Sequence, residues 1–202
     1  MYEPGTDARP VYMQSFSDEK FITWAGGLRR SDRAVFAELF EETYDSLFGF
    51  ARYVVRDSQA AHDVLQDVYM KLWKVRTTID PSRSLKALMY QMVRNYALNH
   101  ERQKKTRTAE SIDESLIDPA SDVSVEETVF ANALNDSIQH WIAKMPDRRR
   151  EAFVLSRFEG LSHEEIARVM SLTPRTVNNH IVLALQDLRA RLQAYEAEST
   201  NP

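Results

Sequence analysis

Between Ser162 and Pro174 the chain carries the signals for two helix starts, and this spacing constrains the fold more than any other feature. Ser162-His163-Glu164-Glu165 has the capping-box form. The Ser162 hydroxyl accepts from the Glu165 amide, and the Glu165 carboxylate returns to the Ser162 amide. A short helix follows, supplying Ile166, Ala167, Val169 and Met170, and Ser171-Leu172 makes the turn. Thr173-Pro174 then gives an N-cap hydroxyl, with proline at the first helical position, where its missing amide hydrogen costs nothing.

The helix that begins there has an expected buried stripe of Val177, Ile181, Leu185, Leu188 and Leu192, with Ala184 beside it. Arg175, Thr176, Asn178, Asn179 and His180 are left toward solvent. Two helices, a tight turn, a small Ala167 at their crossing and a polar N-terminal face on the second predict a helix-turn-helix. Asn pairs bidentately with adenine, Arg with guanine, and Thr meets either a base edge or a methyl group, so this face has the chemistry for reading duplex sequence. Generic solvated helix faces favour Glu and Lys over Asn-Asn-His. Ser171 stands at the turn where glycine is common, which predicts a strained backbone there.

The rest of the chain is helical in pattern. Only 5 glycines and 7 prolines occur in 202 residues, β-branched alternation is rare, and no sheet is expected. Phe36, Leu39, Phe40, Tyr44, Leu47, Phe48 and Ala51 predict one buried stripe on a long helix. A second helix from near Ser58 turns Val64, Leu65, Val68, Leu72 and Val75 inward and Asp63, Asp67, Lys71 and Lys74 outward. A third, from Ser84 to about Lys105, carries Leu85, Leu88, Met89, Met92, Val93, Tyr96 and Ala97. A fourth, around Val129 to Met145, buries Phe130, Leu134, Ile138 and Trp141 or Ile142. Pro146 stops it, Asp147 is the expected N-cap of the next helix through Phe158, and Gly160 is a left-handed stop.

Net charge is −4, which alone argues against a nucleic-acid binder. The distribution reverses this. From Arg83 to Arg107 the single acidic residue is Glu101, so Lys86, Arg94, Arg102, Lys104, Lys105 and Arg107 form a basic stripe. The following stretch holds Glu110, Asp113, Glu114, Asp118, Asp122, Glu126 and Glu127 with no Lys or Arg, and reads as a linker. The expected fold is therefore all-α, two small helical domains joined by a flexible acidic linker. Its parts are an N-terminal extension (1–30), a first domain (31–107), the linker (108–128), a helix-turn-helix domain (129–196) and a tail (197–202).

Cysteine is absent, which excludes disulfides, thiolate metal sites and cysteine nucleophiles. The five histidines have no metal-ligand spacing, and phosphate loops and nucleophile elbows are missing, so no metal, cofactor or catalytic residue is expected. No apolar run is long enough for a membrane span and no signal-peptide pattern opens the chain, so a cytoplasmic protein without membrane insertion is expected.

With these residues in view, the chain from about Phe36 to Leu192 resembles a sigma factor of the extracytoplasmic-function (ECF) group of the sigma-70 family. Asp63 to Trp73 resembles the segment that docks on the clamp helices of the polymerase β′ subunit, which assigns Asp63, Gln66, Asp67, Met70 and Trp73 to polymerase. Leu85 to Asn95 resembles the segment that opens and reads the minus-ten element, which assigns Lys86, Tyr90, Arg94 and Asn95 to DNA together with Arg102, Lys104 and Lys105. Cations for phosphates and rings for unstacked bases are what a melted strand needs. Met145 to Phe153, Phe158 to Ser162 and Glu165 to Ala167 resemble the minus-thirty-five reader, with Arg148 and Arg149 joining the exposed face of the last helix.

Leu88 and Asn99 stand where the family commonly has tryptophan and aspartate. The resemblance implies core RNA polymerase (β′ clamp helices and β flap), promoter DNA and an anti-sigma factor as partners. Two alternatives stay open: a helix-turn-helix regulator with a ligand or dimerisation domain, and a sigma-like adaptor delivered to DNA by another protein or guide complex.

Overall fold

The computed structural model describes residues 17–110 and 131–199; residues 111–128 of the expected linker and Phe130 lie outside them, while 108–110 continue the preceding helix. Among the described residues there are eight α-helices and no strand: α1 (Asp18–Arg29), α2 (Arg33–Val55), α3 (Ser58–Val75), α4 (Leu85–Glu110), α5 (Ala131–Ala143), α6 (Asp147–Arg157), α7 (His163–Met170) and α8 (Pro174–Ser199), with a 3-10 turn at Arg76–Thr78.

The first domain is a bundle of α1 to α4. Its helices begin where short polar side chains meet orphan amides. Asp32 Oδ1 accepts from Ala34 and Val35 N at 2.9 and 3.2 Å, Asp57 from Ala60 N at 2.7 Å, and Ser84 Oγ from Ala87 N at 3.1 Å. Inside lie Leu39, Leu47, Phe50 and Ala51 of α2, Val64, Leu65, Val68 and Leu72 of α3, and Leu85, Met89, Val93 and Ala97 of α4. Asp63, Asp67, Lys71 and Lys74 face solvent, as the periodicity predicts.

The expected stripe on α2 needs correction. Phe40 is 39% exposed and Phe36, Tyr44 and Phe48 are half-buried. Residues four apart drift only slowly around a helix, so these rings form a flank of their own while Leu39, Thr43, Leu47 and Phe50 point into the core.

Residues 18–29 of the stretch expected as an extension belong to this bundle. On α1, Phe21, Trp24, Ala25 and Leu28 are buried, with Trp24 at 1% exposure. The α1–α2 turn demands glycine at one point: a Cβ on Gly27 would stand 2.5 Å from Val35 Cγ1.

The second domain comprises α5 to α8. Its smaller apolar cluster is Ile142, Met145, Phe153 and Ala184, with Ile138, Phe158 and Leu188 against it. Trp141 is half-buried while Ile142 is buried. At the start of α6 the N-cap is Pro146 rather than Asp147. Asp147 sits one place inside, near the positive helix end, and receives Arg150 at 2.6 Å. Gly160 has φ 66°, the left-handed stop expected of it.

The domains pack on one another through α4 and α7. A single apolar cluster runs from Phe21, Phe50 and Val93 across to Leu161, Ile166, Met170 and Val177.

Candidate nucleic-acid and polymerase interfaces

The α7–turn–α8 unit forms through its caps. Ser162 N donates to Glu165 Oε2 at 2.8 Å and Glu165 N to Ser162 Oγ at 3.3 Å, completing the capping box. Burial raises the Glu165 carboxyl while bonds from Ser84 and Ser162 lower it further, and the net direction is down. Ser171 closes α7 at φ 54°, in the left-handed region, with its amide turned back to Ala167 and Arg168 carbonyls. Thr173 Oγ1 accepts from Thr176 N at 3.2 Å, and the Thr173 and Thr176 hydroxyls lie 2.9 Å apart.

These caps fix the rotation of α8. Val177 and Ile181 are 0% and 4% exposed, while Arg175, Asn178 and Asn179 face solvent and Thr176 and His180 are half-buried. The buried line continues through Ala184 to Leu188, not through Leu185, which is 37% exposed. The step 177–181–184–188 follows 3.6 residues per turn more closely than a strict step of four.

The three arginines at the start of α6 have separate fates. Arg148 is exposed. Arg149 pairs with Asp187 of α8. Arg150 crosses to the first domain, where its guanidinium lies 4.9 Å over the Tyr53 ring and its Nε donates to the Tyr53 hydroxyl at 2.8 Å. The cationic run at a positive helix end is thus offset largely by carboxylates and a ring of the chain itself.

Of the site residues expected on α4, Asn95, Arg102 and Lys104 are exposed; the Lys105 side chain lies outside the described ones. Arg102 donates to Asn99 Oδ1 at 3.4 Å. Lys86, Tyr90 and Arg94 face the second domain instead. Tyr90 is 3% exposed and donates its hydroxyl to Glu159. Arg94 Nε donates to Glu151 Oε1 at 2.5 Å. Burial lowers Lys86 and raises Tyr90, and burial lifts the Glu159 carboxyl to about 7 against the opposing pull of Tyr90 and Lys86. Glu151 and Glu159 were not singled out by sequence reasoning. Nothing in a lone carboxylate on an amphipathic helix signals that it faces another domain.

On α3, Asp63, Gln66, Asp67 and Met70 are exposed, Met70 at 56%, and Trp73 is half-buried against Phe36 with the Arg76 guanidinium 4.2 Å over its ring. Gln66, Met70 and Trp73 edge a groove of about 490 Å³ whose other wall is Phe36, Phe40 and Tyr44. That aromatic wall was also missed, although its spacing of four was visible. Tyr44 donates to or accepts from His62 Nδ1 at 2.6 Å at its rim. Among the described residues no group of His, Asp and Glu could hold a metal, and no helix is long and apolar enough to cross a membrane.

Such a molecule, with a capped helix-turn-helix on one small helical body and a basic helix on another, is of the class of two-domain helical DNA-binding proteins. Residues 39–107 match the Sigma-70 region 2 family and residues 135–188 the Sigma-70, region 4 family, together more than half of the chain. It is similar to the ECF RNA polymerase sigma factor SigK of Mycobacterium tuberculosis, with 24% identity over 78% of this chain and 86% of that one. It is also similar to the RNA polymerase sigma-H factor of Pseudomonas aeruginosa, with 28% identity over 82% and 90%.

Among solved structures, CnrH in complex with the cytosolic domain of CnrY shares the fold at TM-score 0.58 and 20% identity, covering 87% of this chain and 98% of that one. The sigma factor RpoE in complex with the anti-sigma factor NepR from Bartonella quintana does so at 0.59 and 23%, covering 78% and 96%. The chain belongs to the sigma-70 family, as an ECF sigma factor; it is not an enzyme, and it directs promoter recognition and transcription initiation by RNA polymerase.

Proposed function

We propose that the two domains divide this task between named surfaces. The exposed side of α3, with Asp63, Gln66, Asp67, Met70 and Trp73, takes the β′ clamp helices of core polymerase. Carboxylates four apart offer complementary charge to a basic partner helix, and the aromatic groove beside them supplies apolar area. On α8, Arg175, Thr176, Asn178, Asn179 and His180 read the minus-thirty-five element in the major groove, with Arg148 and Arg149 toward its phosphates. Lys86, Tyr90, Arg94 and Asn95 with Arg102, Lys104 and Lys105 on α4 hold the melted minus-ten strand. Exposed Val182 and Leu185 on α8 suit an apolar contact with the β flap.

The observation that carries this reading is the rotation of α8: Val177 and Ile181 are buried while Arg175, Asn178 and Asn179 lie outside. An anti-sigma factor is the regulator this reading calls for, in keeping with the complexes formed by CnrH and by RpoE of Bartonella quintana. In vitro transcription with purified core polymerase on a randomised promoter library tests it. Selection of a common pair of elements is the expected result, and transcription without promoter preference overturns it.

A further inference from the structure

The face of α4 that carries Lys86, Tyr90 and Arg94 is covered, and what covers it is acidic. Glu151 comes from α6 and Glu159 from the turn after it. The Arg94 and Glu151 side chains are 10% and 11% exposed, so their pairing at 2.5 Å is a buried one. Glu159 is 4% exposed and takes the Tyr90 hydroxyl, while the Lys86 ammonium lies in the field of both Glu159 and Glu165. Arg94 and Tyr90 thus each meet a carboxylate of the other domain, and Lys86 lies in the field of two. Single-stranded nucleic acid would bring phosphates to the same cations and an unstacked base to the same ring.

We propose that Glu151 and Glu159 are an internal mimic of promoter DNA: Glu151 holds on Arg94 the place of a phosphate and Glu159 covers the Tyr90 ring's hydroxyl, so the closed two-domain form and the form bound to the minus-ten strand exclude each other. This rests on the assignment of Lys86, Tyr90 and Arg94 to that strand.

Around the apolar cluster that α4 and α7 share, the edges of the seam are open and polar. Crevices of about 410 and 380 Å³ flank it, one lined by Tyr53, Leu98, Glu101 and Arg150, the other by Ile79, Arg83, Gln91 and Arg168. At its edge Arg56 and Asp147 meet at 3.4 Å with 71% and 78% of their side chains exposed, and Gln91 donates to the Arg168 carbonyl at 3.3 Å. Exposed pairs of this kind hold weakly. A buried pair is strongly disfavoured when one partner leaves alone, so Arg94 parts from Glu151 on condition that another anion takes its place. Exchange of carboxylate for phosphate meets that condition.

Because the chain has no cysteine, dyes placed on Lys74→Cys in α3 and Arg189→Cys in α8, both exposed, report the separation of the domains by energy transfer in the full chain. The DNA probe is a single-stranded non-template oligonucleotide taken from the promoters selected in the transcription assay. The free chain is expected to show one high-transfer population that the oligonucleotide converts to low transfer. Glu151→Arg, which sets like charge against Arg94, is expected to give low transfer without DNA and to bind the oligonucleotide at least about tenfold tighter, since the competent form no longer has to be drawn from a minor population.

The swap Arg94→Glu with Glu151→Arg is expected to restore high transfer, which misfolding would not allow. Low transfer in the unmodified chain, or DNA bound without loss of transfer, overturns the proposal. If the unmodified chain drives promoter-dependent transcription while Glu151→Arg binds the oligonucleotide no better, the mimic fails and the sigma assignment stands. If Arg94→Ala in the Glu151→Arg background leaves oligonucleotide affinity unchanged, the minus-ten assignment of α4 fails and takes the mimic with it.

Discussion

Arg94 of α4 and Glu151 of α6 meet at 2.5 Å across the two domains, each with about a tenth of its side chain exposed. Removing one partner strands a charge, which typically costs 3–5 kcal/mol, whereas replacing both by apolar residues is often close to neutral. Arg94→Met is therefore expected to lower the stability of the closed form by about 3 kcal/mol or to part the domains, and Arg94→Met with Glu151→Met to recover most of it. Urea unfolding followed by far-UV dichroism checks both. Equal losses in the single and double variants would show that the pair does not couple the domains.

The Glu159 carboxyl, lifted from 4.5 to about 7 by burial, makes the closed form sensitive to pH. The groups around it are Tyr90 and Lys86 of α4, with Phe21, Thr43 and Ser46 beside them; Glu165 and Asp18 act on Lys86. A carboxyl raised on folding is held in its protonated form by the closed state. Its contribution is present below about pH 4.5 and is lost as pH rises through about 7, a span on the order of 3 kcal/mol at most. Energy transfer between the domains is expected to fall from pH 5 to pH 8, and Glu159→Gln to flatten that dependence. A profile unchanged by Glu159→Gln would assign the sensitivity elsewhere.

On α8, Arg175→Ala and Asn178→Ala each remove an exposed side chain above a buried Val177. Each is expected to reduce selectivity for the upstream element by about 1–3 kcal/mol per lost base contact while leaving polymerase binding intact. Transcription from paired promoters that differ at single upstream positions measures this. Unchanged promoter choice in both variants would remove the assignment.

The turn between α7 and α8 offers opposite effects from neighbouring serines. Ser162→Ala breaks the capping box and is expected to destabilise by about 1 kcal/mol. Ser171→Gly places glycine at φ 54° and is expected to stabilise by about 0.5–1 kcal/mol, since only the left-handed strain of a Cβ is removed. Thermal unfolding of the two variants distinguishes them by the direction of the Tm change.

Trp24 tests the place of α1. At 1% exposure, with the Phe21 ring 5.2 Å away, it is expected to cost about 3–5 kcal/mol as Trp24→Ala. A loss under 1 kcal/mol would mean that α1 is an appendage.

The legible parts of this fold were those set by local chemistry. The caps at Ser162 and Thr173 and the stop at Gly160 could be read because each acts within four residues of itself, and the rotation of α8 followed from them up to Ile181. Beyond it, Leu185 and Ala184 competed for the same side and size alone did not choose. The aromatic flank of α2 reads as core from sequence because Phe36, Phe40 and Tyr44 are apolar, although apolar residues at a spacing of four also build an exposed groove. Residues 18–29 passed unread for a related reason. Gly26 and Gly27 weaken a helix pattern by about 1 kcal/mol each, and the close approach of Val35 that requires Gly27 is invisible without the partner helix. Least legible of all were Glu151 and Glu159, whose meaning depends on a domain docked in space rather than on neighbours in the chain.

The reading helix is set by its own termini. The Thr173 hydroxyl, Pro174 and the Ser162–Glu165 box organise α7 and α8 before any duplex arrives, so docking carries little cost of ordering. With Asn178 and Asn179 reading bases as proposed, exchanging either is expected to edit which base steps are accepted while the platform stays as it was. Promoter preference in chains of this architecture is free to diverge through a few solvent-facing substitutions, with the remainder of the scaffold under no pressure to follow.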